Sequence, residues 1–131
     1  MTVYLIRHGK TEANEKRLYC GSTELPLSEK GREELNRMNY KSKNVRFLTS
    51  GMKRTEETLG ILFGDVPHER CEGLREIHFG IFEMKDYFAL EKEAEFQIWL
   101  QGGEEAVPPG GESAAQFRVR VGRAFREIVE R

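Results

Sequence analysis

Four apolar residues near the start of the chain constrain the fold more than any other feature. Val3-Tyr4-Leu5-Ile6 is continuously apolar, partly β-branched, and runs without a break into Arg7-His8-Gly9. A strand covered on both faces reads this way, because neither of its alternating sides meets water. The run therefore predicts a strand of a parallel sheet. Arg7, His8 and Gly9 would lie at its carboxyl end, the edge at which open α/β sheets bind ligands. Closed so soon by an arginine, the run is too short for the apolar core of a signal sequence or for a membrane span.

The remaining pattern alternates. Leu25-Pro26-Leu27-Ser28 reads as a turn with Ser28 as the cap of a helix starting near Glu29, with Leu35 and Met38 on its inner face and Gly31 as a local weakness. Val45–Thr49 is a second strand, broken by Ser50-Gly51. A helix follows whose stripe of Met52, Thr55, Leu59 and Leu62 leaves Lys53, Arg54, Glu56 and Glu57 toward the polar side. Residues 66–71 form a connector or short strand, and 74–80 a loop. Asp86 to Leu100 reads as one helix with Tyr87, Leu90, Ala94 and Ile98 inward, and Phe96 and Trp99 are also expected in the core. Pro108-Pro109-Gly110-Gly111 cannot continue a helix. Ser113 and Gln116 then have capping-box spacing before a last helix with Phe117, Val121, Ala124, Phe125 and Ile128 on one face. The pattern is that of an α/β fold, a three-layer sandwich with a mostly parallel central sheet. The length of 131 residues fits one domain over residues 1–131. The last helix is still periodic at Arg131, so the domain is expected to be incomplete and its apolar helix face to invite self-association.

Charge narrows the function. Twenty-one Lys+Arg against 22 Asp+Glu leave a net charge of -1, without the cationic excess that non-specific nucleic-acid or membrane-surface binding requires. No nucleic-acid or membrane partner is expected. Cys20 and Cys71 have no C-x-x-C pairing, which points to a reducing, cytoplasmic setting. No H-E-x-x-H or Cys/His ligand spacing occurs, so neither a metal site nor any cofactor is expected. Arginines 118, 120, 123, 126 and 131 read as a solvated helix face offset by Glu127 and Glu130.

The chemistry gathers around His8. Imidazole, with an ordinary pKa near 6.5, keeps one ring nitrogen largely free at neutral pH. A neighbouring guanidinium offers planar paired donors suited to phosphoryl oxygens. Taken alone, Arg7-His8-Gly9 is better read as a structural histidine capping a strand. The rest of the chain changes that. Arg7-His8-Gly9-Lys10-Thr11-Glu12-Ala13-Asn14 resembles the R-H-G-[ED]-[TS]-x-x-N signature of the histidine phosphatase superfamily, also called phosphoglycerate-mutase-like. Leu25–Gly31, Ser50–Thr58, Leu74–Gly80 with Phe82-Glu83, and Pro109-Gly110-Gly111-Glu112-Ser113 resemble that family's later motifs in the same order. The departures are Lys10, Gly51 and Met84.

The resemblance implies that His8 is the nucleophile and forms a phosphohistidine. It implies that Arg7, Arg54 and Asn14 hold the phosphate, and that Glu76 is the general acid and then the base for water. The stretch Tyr19–Leu27 is similar to that of bacterial α-ribazole-phosphate phosphatases, which adds Gly21 and Ser22 as substrate-pocket candidates. The implied ligand is a small phosphorylated substrate or inorganic phosphate. Only Ile81–Pro108 separates the Glu76 segment from the Pro109–Ser113 motif, which favours a phosphatase over a phosphoglycerate mutase. Family members carry a second catalytic histidine in a later His-Gly. This chain has only His8, His68 and His78, so weak or no catalysis is expected from it. A non-catalytic phosphate-binding fragment is the alternative from another class.

Overall fold

The computed structural model describes residues 1–131. In chain order the elements are α1 (Glu12–Glu15), α2 (Glu29–Asn36), β1 (Leu48–Thr49), α3 (Lys53–Phe63), β2 (Glu69–Arg70), α4 (Tyr87–Leu90), α5 (Ala94–Gln101) and α6 (Ala114–Glu130). Short 3-10 turns lie at Glu72–Leu74, Gly80–Phe82 and Gly103–Glu105. Strands β1 and β2 pair in parallel, Leu48 with Glu69 and Thr49 with Arg70, and α3 makes the crossover between them. This is the βαβ unit on which α/β folds are built.

The helix starts follow the local sequence. Ser28 accepts the Gly31 N–H at 3.0 Å. Ser113 and Gln116 close a reciprocal capping box, with Gln116 N–H on Ser113 Oγ at 3.0 Å and Ser113 N–H on Gln116 Oε1 at 2.9 Å. Thr11 and Asn14 do the same for α1. Each pair satisfies amide donors that a helix start otherwise leaves unmet. Gly31 is required rather than tolerated: a Cβ there would stand 2.2 Å from the Lys10 carbonyl oxygen. The missing side chain lets α2 lie directly on the backbone just after His8.

Three expectations are corrected. Val3–Ile6 forms no strand, and no backbone hydrogen bond engages it. Leu5 is 86% exposed. A strand needs a partner's ladder, and β1 is paired only to β2, so the apolar run stays unpaired and uncovered. Asp86–Leu100 is two helices, broken at residues 91–93, because Gln97 turns its side-chain amide back onto the Glu91 carbonyl at 2.6 Å. The break rotates α5, so Phe96 is buried and Ile98 faces out. Met38 lies beyond the end of α2 and is exposed.

The main core is aromatic. Phe82, Leu90 and Phe96 are buried, with Tyr19, Phe79 and Trp99 packed around them. Phe82 and Phe96 meet edge to face at 5.3 Å between ring centres, and Tyr19 and Phe79 at 5.4 Å, geometries that suit the ring quadrupoles. Tyr19 thereby ties residues 19–23 to the Gly80–Phe82 turn. Along α6, Ala124 is buried and sits so close to Gly73 that a Cβ on Gly73 would come within 2.6 Å of it.

Candidate active site

His8 is half-buried at the end of the opening segment. Its Nδ1 lies 2.6 Å from the Gly9 carbonyl oxygen. A carbonyl only accepts, so Nδ1 carries the proton and the lone pair is left on Nε2. Gly9 donates its N–H to Thr58 Oγ1 at 3.0 Å, and that hydroxyl donates to the Arg54 carbonyl at 2.7 Å. Thr58 thus fastens the histidine's backbone to α3. Burial lowers the imidazole pKa below 6.5. The Gly9 carbonyl opposes the shift, the Arg54 and Arg7 guanidinium groups reinforce it, and Glu76 pulls weakly upward. The ring is therefore neutral at pH 7, with Arg7, Arg54 and Glu76 all within its electrostatic reach.

Arg54 is not on a polar face, as the stripe of α3 suggested. It is only 3% exposed. It shares a helix face with Thr58, one turn on, and that face meets residues 9 and 21–23 rather than water. Its Nη1 donates to the Thr23 carbonyl at 2.9 Å and its Nη2 to the Gly21 carbonyl at 2.5 Å. It takes part in no ion pair. A buried cation held by carbonyl dipoles alone is costly unless an anion completes its surroundings.

Of Gly21 and Ser22, only Gly21 bonds to that arginine. The amides of both residues are already engaged with the Glu83 carboxylate: Gly21 N–H reaches Oε2 at 2.9 Å, and Ser22 N–H and Oγ–H reach Oε1 at 2.6 and 2.8 Å. A Cβ on Gly21 would stand 1.6 Å from the Ile77 carbonyl oxygen, so only glycine lets this loop press against the segment after Glu76. Asn14 accepts the Thr11 N–H and Oγ–H through Oδ1 at 2.8 and 3.0 Å, and its amide nitrogen makes no bond within the chain. A cleft of about 560 Å³ is bordered by Arg7, His8 and Asn14, with Leu35, Met38 and Tyr40 on its apolar side. Arg54 and Glu76 do not line that cleft and reach the imidazole only through their charges.

Glu76 is exposed, accepts the Ile77 N–H at 2.9 Å and forms no ion pair. Its loop is clamped from α6. Arg120 donates to the carbonyls of Gly73 (3.0 Å), Arg75 (2.8 Å) and Glu76 (3.3 Å), and pairs with Glu112 at 2.5 Å. Arg120 is therefore no solvated charge, because the loop gives it several carbonyl acceptors at once. His68 is bound to Glu56 at 2.7 Å, and His78 Nδ1 accepts the Gly80 N–H at 2.9 Å. Thr58 and Glu83 stood in the sequence only as positions of the motifs Ser50–Thr58 and Phe82-Glu83, without a role, and Arg120 only as part of a charged helix face. The one available hint was Thr58, spaced a helical turn from Arg54.

A neutral imidazole within electrostatic reach of a buried, unpaired guanidinium, on an α/β frame with parallel strands, is an arrangement of the kind that suits an anionic ligand. No helix of the molecule is long and apolar enough to cross a membrane. The chain belongs to the histidine phosphatase superfamily (branch 1), whose family model matches residues 3–131. It is 33% identical over 135 residues to the adenosylcobalamin/α-ribazole phosphatase of Salmonella typhimurium, an alignment covering 98% of this chain and 67% of that protein. The crystal structure of the α-ribazole phosphatase from Shigella flexneri superposes with a TM-score of 0.85 at 30% identity, over 95% of this chain and 65% of that one. A phosphoglycerate mutase structure from Thermus thermophilus gives a TM-score of 0.74 at 30% identity, over 92% and 68%. The chain spans about two-thirds of the length of these relatives. The phosphoglycerate-mutase-like α/β fold expected from the sequence is the one these structures share.

Proposed function

We propose that the protein is a phosphomonoesterase that passes the phosphoryl group of a small phosphorylated metabolite to water through His8. The observation that carries this reading is Arg54: a buried guanidinium without a carboxylate, whose charge reaches an imidazole kept neutral. In the first step the His8 Nε2 lone pair attacks phosphorus, the bond from phosphorus to the ester oxygen breaks, and Glu76 delivers a proton to the leaving oxygen. In the second, water attacks the phosphohistidine while Glu76 takes a proton from it; the phosphorus–nitrogen bond breaks and inorganic phosphate leaves. Arg54, Arg7 and the free amide of Asn14 hold the phosphoryl oxygens, planar donors meeting charge as it builds in the transition state. Gly21 acts by holding Arg54 through its carbonyl, and Ser22 by tying the same loop to Glu83, since both their amides are committed to that carboxylate.

The relatives named as α-ribazole phosphatases support α-ribazole 5'-phosphate as the first substrate to try, and the two free cysteines fit a cytoplasmic setting. The test uses an aryl phosphate and the purified protein at neutral pH. Acid-labile phosphate on the protein and slow phosphate release are expected, since the other two histidines, His68 and His78, are bonded elsewhere, and His8→Ala should abolish both. Release that survives His8→Ala would overturn the reading, as would a protein with no affinity for inorganic phosphate. Transfer of the phosphoryl group to phosphoglycerate in preference to water would make it a mutase instead.

A further inference from the structure

We propose that Glu83 is a positioning residue: through the Gly21–Thr23 loop it sets where the Arg54 guanidinium sits, and so how tightly the site holds phosphate. This rests on the reading of Arg54 as a phosphate-binding group. Glu83 is half-buried and comes directly after Phe82, which is 1% exposed at the centre of the aromatic core. The backbone around it is joined to the loop's entry, Met84 N–H to the Tyr19 carbonyl at 2.6 Å and Tyr19 N–H to the Lys85 carbonyl at 2.9 Å. From that fixed place its carboxylate takes the Gly21 and Ser22 amides and the Ser22 hydroxyl.

The other side of the same loop is turned to Arg54. The carbonyls of Gly21 and Thr23 accept from Nη2 and Nη1. Within Gly21 the N–H faces an anion and the C=O a cation. The loop's dipoles therefore run from carboxylate to guanidinium, each polarising the next. Arg54 has no carboxylate of its own, so these two carbonyls are its only strong acceptors. Both charges also reach Cys20 at the start of the loop, whose thiol pKa is raised chiefly by burial, lowered by Arg54 and raised by Glu83 and Glu76. Removing one or both Glu83 carboxylate oxygens leaves the Gly21 and Ser22 donors short of acceptors, frees the loop to turn, and takes the carbonyls from the buried cation.

The test is a double-mutant cycle on Glu83→Gln and Arg54→Ala, read by affinity for inorganic phosphate and by the His8 imidazole pKa from NMR titration. Glu83→Gln keeps one oxygen acceptor. Glu83→Ala is added as the stronger variant, with thermal melts to verify that each variant folds. Phosphate binding is expected to weaken about tenfold in Glu83→Gln and not to weaken further when the change is made on Arg54→Ala. The His8 pKa should rise in each single variant and rise no more in the double. Equal effects of Glu83→Gln with and without Arg54 would overturn the inference, because a merely structural carboxylate acts additively. If Arg54→Ala binds phosphate as the parent does, the phosphate reading falls; the imidazole titration still decides the coupling, non-additive shifts supporting it and additive ones sinking it.

Discussion

Glu56 shows how one carboxylate can organise several donors. Burial would raise its pKa from 4.5, but hydrogen bonds from Thr49, Arg70 and His68 overcome that and bring it down to about 2. His68 moves the other way, raised from 6.5 by the Val66 carbonyl first and by Glu56 after it. The signs give a window. The Glu56 contribution is present above 4.5 and is lost as pH falls through about 2. The His68 contribution is full below 6.5 and is lost as pH rises through its raised value. His8, whose pKa is lowered, works against stability as pH falls below 6.5, because the unfolded chain takes up that proton more readily. His68→Gln should therefore lower the melting temperature at about pH 5.5 and lose that deficit by about pH 9. Melts followed by circular dichroism across that range would show it, and a deficit independent of pH would refute the assignment.

At the scale of elements, Gly31 separates propensity from packing. In an exposed helix Gly→Ala gains about 1 kcal/mol. Here the added Cβ meets the Lys10 carbonyl oxygen at 2.2 Å and its nitrogen at 2.9 Å, both backbone atoms. Overpacking of that kind costs about 1–3 kcal/mol. Gly31→Ala is expected to destabilise by about 1–2 kcal/mol in urea unfolding and to shift the His8 ring resonances; a stabilised variant would mean that α2 stands further off. Helix starts were legible because capping is local chemistry: Ser28, Ser113 and Gln116 announce themselves within four residues. The parallel character of the sheet was legible from the strand–helix alternation, whereas β2 lies in a stretch, residues 66–71, that reads as a connector or a short strand. Val3–Ile6 was misread because apolar continuity reports what a strand needs around it and not whether a partner strand is there. The break at residues 91–93 was missed because it depends on the Gln97 side chain, outside any periodic pattern. His8 and Arg54 stood out through ordered motifs, whereas the burial of Arg54 depends on a loop about thirty residues away in the chain, which no helical stripe can reveal.

Across the whole molecule the core is thin, with 18 of 131 residues buried, so a small added free energy should move the melting point visibly. Arg54 makes the site itself such a source. A ligand at ten times its dissociation constant contributes about 1.4 kcal/mol, which for a chain of this size is about 5 °C. Inorganic phosphate should raise the melting temperature by that amount over chloride at equal ionic strength, and Arg54→Ala should abolish the gain. A rise that persists in Arg54→Ala would mark a general salt effect. Occupancy and durability then become one property. The compound the protein consumes would also shield it from heat and proteases, and its exhaustion would leave the scaffold easier to clear.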